Sequence, residues 1–149
     1  ATSLGTDDTA DDGTDAVAAR DRRAGEARIL YVDDDELIAD LMLRLLRRAG
    51  YTAHVFTSPV EALRAVRDQG LAYDLAISDY SMPGMTGIEL ARALRALHPR
   101  REVAMTTGYI SAELRQQAPA AGVSELIYKP NTGDELLDAI ERLASRVQH

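Results

Sequence analysis

The sequence predicts an α/β fold: a doubly wound, five-stranded parallel sheet with five helices, (βα)5. Three observations carry this. Strand-like and helix-like segments alternate strictly from Ala27 onward. Several helix starts are written as caps, Ser/Thr followed three residues later by Glu. Polar residues stand directly after four of the five apolar strands, where parallel sheets place their ligand sites.

The first strand is Arg28–Val32, an apolar run ending in Asp33-Asp34-Asp35. Asp35 caps the first helix, in which Leu37, Ile38, Leu41, Met42, Leu45 and Ala49 recur at helical spacing. Asp40 and Arg44 pair at i,i+4 on the other face, and Gly50 stops the helix. Thr52–Phe56 is the second strand. Ser58-Pro59-Val60-Glu61 combines a capping box with proline at the first helical position, and that helix ends near Asp68–Gly70. Leu71–Ser78 reads as the third strand. Thr86-Gly87-Ile88-Glu89 opens a helix reaching Leu97, and Val103–Thr106 is the fourth strand. Ser111 starts a weaker helix expected to fail past Pro119. Glu125–Tyr128 is the fifth strand. Thr132-Gly133-Asp134-Glu135 caps a last helix lined by Leu136, Leu137, Ile140, Leu143, Ala144 and Val147.

A length of 149 residues suits one domain, and 46% hydrophobic content supports a core. Residues 1–26 stand apart: they are rich in Asp and small residues, with only Leu4 and Val17 as large aliphatics. They are expected to be a disordered acidic linker or tail, with the folded domain at 27–147. A net charge of −7 argues against a nucleic-acid or anionic-membrane surface. The absence of cysteine excludes disulfides and thiolate chemistry. No apolar stretch approaches the roughly 20 residues of a spanning helix. The N-terminus has no basic region of the secretory kind. A cytoplasmic protein, or a cytoplasmic piece of a larger one, is expected, and a chain that begins with Ala fits a fragment.

The strand ends bring specific chemistry. The first supplies Asp33 and Asp34, the third Asp79, the fourth Thr106 and Thr107, the fifth Lys129. Lys129 is the only lysine; every other basic residue of the Lys/Arg type is arginine. Carboxylates converging on one point suit a hard cation such as Mg²⁺, which leaves positions for water and phosphate. A carboxylate also attacks phosphorus to give an acyl phosphate, while a hydroxyl and an ammonium donate to the phosphoryl oxygens.

The stretches Ile29-Leu30-Tyr31-Val32-Asp33-Asp34-Asp35-Glu36 and Ser78-Asp79-Tyr80-Ser81-Met82-Pro83-Gly84-Met85-Thr86-Gly87, with Thr106 and Lys129-Pro130, resemble the receiver domain of two-component response regulators. The resemblance covers residues 27 to about 147 with all motifs in order, and it implies a flavodoxin-like fold. It implies that Asp79 is the phosphoacceptor, charged from the histidine of a histidine kinase or histidine phosphotransfer domain. Asp34, Asp79 and the backbone carbonyl of Ser81 would bind Mg²⁺ or Mn²⁺ directly, and Asp33 through a water. Thr106 would donate to the phosphoryl group and carry the switch. Lys129 would pair with the phosphate, held by a peptide to Pro130 that is usually cis in this family. The sequence departs from the family at Leu126, where an aromatic is usual; Tyr128 directly precedes Lys129 instead, and Tyr109 is a substitute candidate.

Plainer roles suffice for several residues. Asp35 is best explained as a helix cap. The leucine stripes are core. His54, His98 and His149 are not expected to be phosphodonors or ligands, and His98 at a helix C-terminus should favour its cation. A haloacid-dehalogenase-like phosphatase is the competing enzyme class, because Asp33 and Asp35 have Asp-x-Asp spacing; Leu37 breaks its pattern. The domain fills the chain to within a few residues of His149, so no DNA-binding unit is expected to follow. The acidic segment and the wording around Asp79 and Thr107 resemble the C-terminal receiver of a hybrid sensor histidine kinase, with a stand-alone single-domain regulator as the alternative.

Overall fold

The computed structural model describes residues 27–129 and 132–147. The linker expected at 1–26, the Lys129–Pro130 peptide and His149 lie outside the described residues.

Strands β1 (Arg28–Val32), β2 (Thr52–Phe56), β3 (Leu75–Asp79), β4 (Glu102–Thr107) and β5 (Glu125–Tyr128) alternate with helices α1 (Glu36–Arg48), α2 (Pro59–Gln69), α3 (Gly87–Leu97), α4 (Ala112–Ala120) and α5 (Gly133–Val147). The strands form one parallel sheet in the order β2-β1-β3-β4-β5. Parallel neighbours need crossover helices, and these cover both faces. One face packs Leu30, Val32, Ala76, Val103 and Met105 against α2, α3 and α4. The other packs Ile29, Tyr31, Leu75, Ile77 and Ala104 against α1 and α5. Strand residues thus alternate between two cores, which is why the strands read as continuous apolar runs. The chain reverses direction of winding between β1 and β3, and a crevice opens there at the carboxyl ends.

The caps explain the helix starts. Asp35 accepts from the backbone N–H groups of Leu37 and Ile38. Ser58 accepts from Glu61 N–H, while the Glu61 carboxylate turns to Arg64. At Thr86 and Glu89 the capping box is reciprocal. Asp40 and Arg44 pair at 3.1 Å.

Four expectations are corrected. The third strand begins at Leu75 rather than Leu71, because Leu71 N–H bonds back to Ala65 O and completes the end of α2 around Gly70. In α1 the buried residues are Ala39, Met42, Leu43 and Leu46, whereas Leu37 is 83% exposed and Leu41 also faces outward. A leucine-rich helix offers two stripes, and docking on the sheet selects the one containing Ala39, which lets the backbones approach. Helix α4 runs through Pro119 to Ala120. His98 packs edge-on to Tyr73, and burial together with the neighbouring Arg101 lowers its pKa instead of favouring the cation.

Candidate functional site

The register of the sheet sets the site. Val32 pairs with Ser78, so Asp33 emerges level with Asp79; Asp79 in turn pairs with Thr106. Tyr80 N–H bonds Thr106 O at 2.8 Å and Asp33 N–H bonds Phe56 O at 3.1 Å, which ties the strand ends to their neighbours. Strands separated widely in sequence therefore deliver their last residues to one place.

Asp33, Asp34 and Asp79 gather there, with one carboxylate oxygen from each within 4.8 Å of the others. Asp33 is fully buried, Asp79 nearly so, and Asp34 is exposed. Lys129 Nζ reaches Asp33 Oδ2 at 3.3 Å and Asp79 Oδ2 at 3.4 Å. Asp33 Oδ1 accepts from Asp35 N–H at 3.0 Å, and the Tyr31 hydroxyl donates to Asp33 Oδ2 at 3.3 Å.

Three carboxylates thus face one ammonium. Burial pushes the Asp79 pKa up, the charge of Asp33 pushes it further, and Lys129 only partly opposes this. Burial pulls Lys129 down, but the charges of Asp33 and Asp79 outweigh it and raise its pKa. Such an excess of clustered oxygen ligands, one of them exposed to solvent, fits a hard divalent cation that keeps part of its water shell.

The approach of α3 completes the site. Gly87 N–H bonds Tyr80 O at 2.9 Å, and a Cβ on Gly87 would stand 2.5 Å from Asp79 O. Only glycine lets the start of α3 sit against the end of β3. Ser81 lies exposed in the connecting loop, where Gly84 takes a φ of +85°.

The two threonines of β4 divide. Thr106 is fully buried, level with Asp79, and its hydroxyl has no hydrogen-bond partner. Thr107 ends the strand. Its hydroxyl donates to Tyr109 O at 3.0 Å and accepts from Tyr109 N–H at 3.3 Å, and its carbonyl accepts from Lys129 N–H at 2.7 Å. Leu126 packs against the core, while Tyr128 and Tyr109 are 63% and 76% exposed.

A family model described as the response regulator receiver domain matches residues 29–141. The chain belongs to this family. The receiver is 30% identical to the sensor kinase CckA of Brucella abortus over 137 residues, covering 87% of this chain and 14% of that protein. It is 33% identical to the chemotaxis protein CheY of Pseudomonas aeruginosa, covering 80% of this chain and 98% of that one. A CheY-like receiver domain protein from Methanospirillum hungatei superposes with a TM-score of 0.75 at 31% identity, covering 83% of this chain and 97% of that one. The receiver spans about a seventh to a quarter of the length of the sensor kinase and of several transcriptional regulatory proteins that it matches. It is a phosphorelay module of two-component signal transduction, and the haloacid-dehalogenase reading is set aside. Among the described residues no helix is long and apolar enough to cross a membrane.

The structure brings together Asp33, Asp34, Asp79 and Lys129 as the sequence led one to expect, with Thr106 alongside. Sequence reasoning passed over Tyr31, the separate position of Thr107, and the close approach at Gly87. A signal for Tyr31 was present: it lies two residues before Asp33 on a strand, hence on the same face.

Proposed function

We propose that the receiver accepts a phosphoryl group on Asp79 from the phosphohistidine of a histidine kinase or histidine phosphotransfer domain, in a reaction dependent on Mg²⁺ or Mn²⁺. The observation that carries the reading is Asp79 at the end of the central strand, nearly buried, clustered with Asp33 and Asp34 and in reach of Lys129.

An Asp79 carboxylate oxygen attacks phosphorus, the phosphorus–nitrogen bond to the donor histidine breaks, and its electron pair returns to the imidazole. An acyl phosphate results. Asp34, Asp79 and the Ser81 carbonyl would hold the cation directly and Asp33 through a water. A bound cation supplies neutralisation of the charge on the transferring phosphoryl oxygens. Lys129 pairs with Asp79 beforehand and with the phosphoryl group afterwards. The acceptor must be ionised; burial and the Asp33 charge oppose this in the metal-free site, and a cation held there would favour it.

For the switching hydroxyl we favour Thr107 over Thr106, to which the sequence had led. Thr106 is sealed among Ala104 and Ile127 on the α1/α5 side, and turning it would disturb core. Thr107 sits at the strand's mouth and holds Tyr109 by bonds that a rotamer change exchanges. Its movement would carry the loop to Ser111 and so alter the α4/β5/α5 surface. The orphan hydroxyl of Thr106 supports the other assignment, and the two separate cleanly: Thr107→Val should uncouple phosphorylation from changes in α4, and Thr106→Val should not.

The surrounding polypeptide is read as a cytoplasmic hybrid histidine kinase, supported by the likeness to a sensor kinase. The coverage of nearly all of a CheY supports a stand-alone regulator instead. Incubation with Mg²⁺ and a small phosphodonor, followed by intact-mass measurement, tests the core reading. One added phosphoryl group, absent in Asp79→Asn, is expected. An adduct that survives Asp79→Asn, or none from a donor or a cognate kinase, sinks it.

A further inference from the structure

Tyr31 is fully buried on β1, and its ring belongs to the core beneath α1 and α5. Its hydroxyl is a polar atom inside an apolar layer, and such groups are costly unless bonded. The partner is Asp33 Oδ2 at 3.3 Å. The same oxygen lies 3.3 Å from Lys129 Nζ, and Oδ1 accepts from Asp35 N–H at 3.0 Å. Asp33 is thus held from three directions: by the backbone, by an ammonium and by a phenol below.

These holds are not equivalent. Lys129 is divided between Asp33 and Asp79, and in the reaction proposed above it turns to the phosphoryl group. The Asp35 N–H fixes one oxygen only. The Tyr31 hydroxyl is rooted in a strand whose ring is packed on all sides, so it stays in place when Lys129 leaves. It also remains a donor, because an ordinary phenol is protonated at neutral pH.

We propose that Tyr31 is a positioning residue for the cation site: its buried hydroxyl fixes the Asp33 carboxylate in the orientation from which Asp33 holds a cation-bound water. This rests on the reading of Asp33, Asp34 and Asp79 as a cation site. Tyr31 touches neither cation nor phosphoryl group and acts through Asp33. Groups that orient a ligand from behind commonly govern metal affinity without contacting the metal.

The test is a calorimetric Mg²⁺ titration of the unphosphorylated protein. Wild type, Tyr31→Phe and Asp34→Asn are compared, with melting curves for each. Tyr31→Phe removes one oxygen and keeps the ring, so it should fold; its Mg²⁺ affinity should drop about ten-fold. A second measurement needs no variant. In wild type labelled with ¹³C-tyrosine, the Tyr31 Cζ resonance should shift with the midpoint of the Mg²⁺ titration. Affinity equal to wild type in Tyr31→Phe, or a Cζ resonance indifferent to Mg²⁺, overturns the proposal. Loss of binding in Asp34→Asn keeps the cation site standing in that event; binding untouched by Asp34→Asn removes the site and the proposal with it.

Discussion

The two ends of the sheet handle charge in opposite ways. At the amino end, acids and bases are matched. Asp74 takes Nε and Nη2 of Arg28 at 3.0 and 2.8 Å and also its backbone N–H. Glu125, first in β5, holds Arg142 at 2.6 Å with Arg146 at 3.5 Å. Its pKa falls, chiefly through the bonds from Arg142. At the carboxyl end three acids gather, the lysine there reaches Asp33 and Asp79, and the Asp79 pKa rises. The same strands carry both ends, so the difference is not one of fold. Matched charges hold the frame; the unmatched ones are left to be neutralised by something that arrives.

Substitutions at either end put this contrast to the test. The largest change should come from Lys129→Met, which leaves Asp33 buried beside Asp79 with no cation. A loss of about 3 kcal/mol is expected from urea unfolding, part of it recovered by Mg²⁺; stability unchanged without Mg²⁺ would mean that the carboxylates are better hydrated than their burial implies. Gly87→Ala should follow at about 2 kcal/mol, because the new methyl meets backbone that has nowhere to go. It should also slow phosphorylation by shifting the end of β3, and a full-rate variant would show that α3 can move away without consequence.

Asp79→Asn should act in the other direction. Removing a charge from the crowded end is expected to raise stability at neutral pH. The sign follows from linkage. With its folded pKa raised, Asp79 binds more protons folded than unfolded in the window above the ordinary carboxylate value, so wild-type stability improves as pH falls through that window. The advantage of the variant should therefore shrink with acid, and an advantage that grew would reverse the assignment. The smallest effect belongs to the matched end: Arg28→Ala should cost roughly 1 kcal/mol, since the pair is partly solvated. Mg²⁺ affinity should stay the same, and a change there would show the two ends to be coupled.

Much of this was legible in the sequence. The alternation of elements, the caps at Asp35, Ser58 and Thr86, and the polar residues following β1, β3 and β5 all depend on near neighbours in the chain. What escaped depends on distant ones. Leu37 and Leu41 fit a helical stripe as well as Ala39 and Leu43 do, and only the docked sheet distinguishes them. Leu71 and Tyr73 are apolar enough for a strand, yet Leu71 is taken by the end of α2. His98 at a helix end would favour its cation, but burial and then Arg101, brought beside it by the turn, lower its pKa. Thr106 and Thr107 are adjacent letters and both buried, and the end of β4 separates them into a hydroxyl without a partner and one bonded to the Tyr109 backbone.

The strand order has one more consequence. Asp33 and Asp34 leave β1, and Asp79 reaches them only because β3 lies next to β1, although β2 intervenes in the chain. A partly folded chain with β1 and β2 paired carries two of the acids and lacks the third. The cluster comes into being when the central strand is seated, and its repulsion is felt at that moment. A divalent cation held by this cluster would therefore recognise finished sheets: it would discriminate between complete and incomplete molecules, and its presence during refolding should enrich the former.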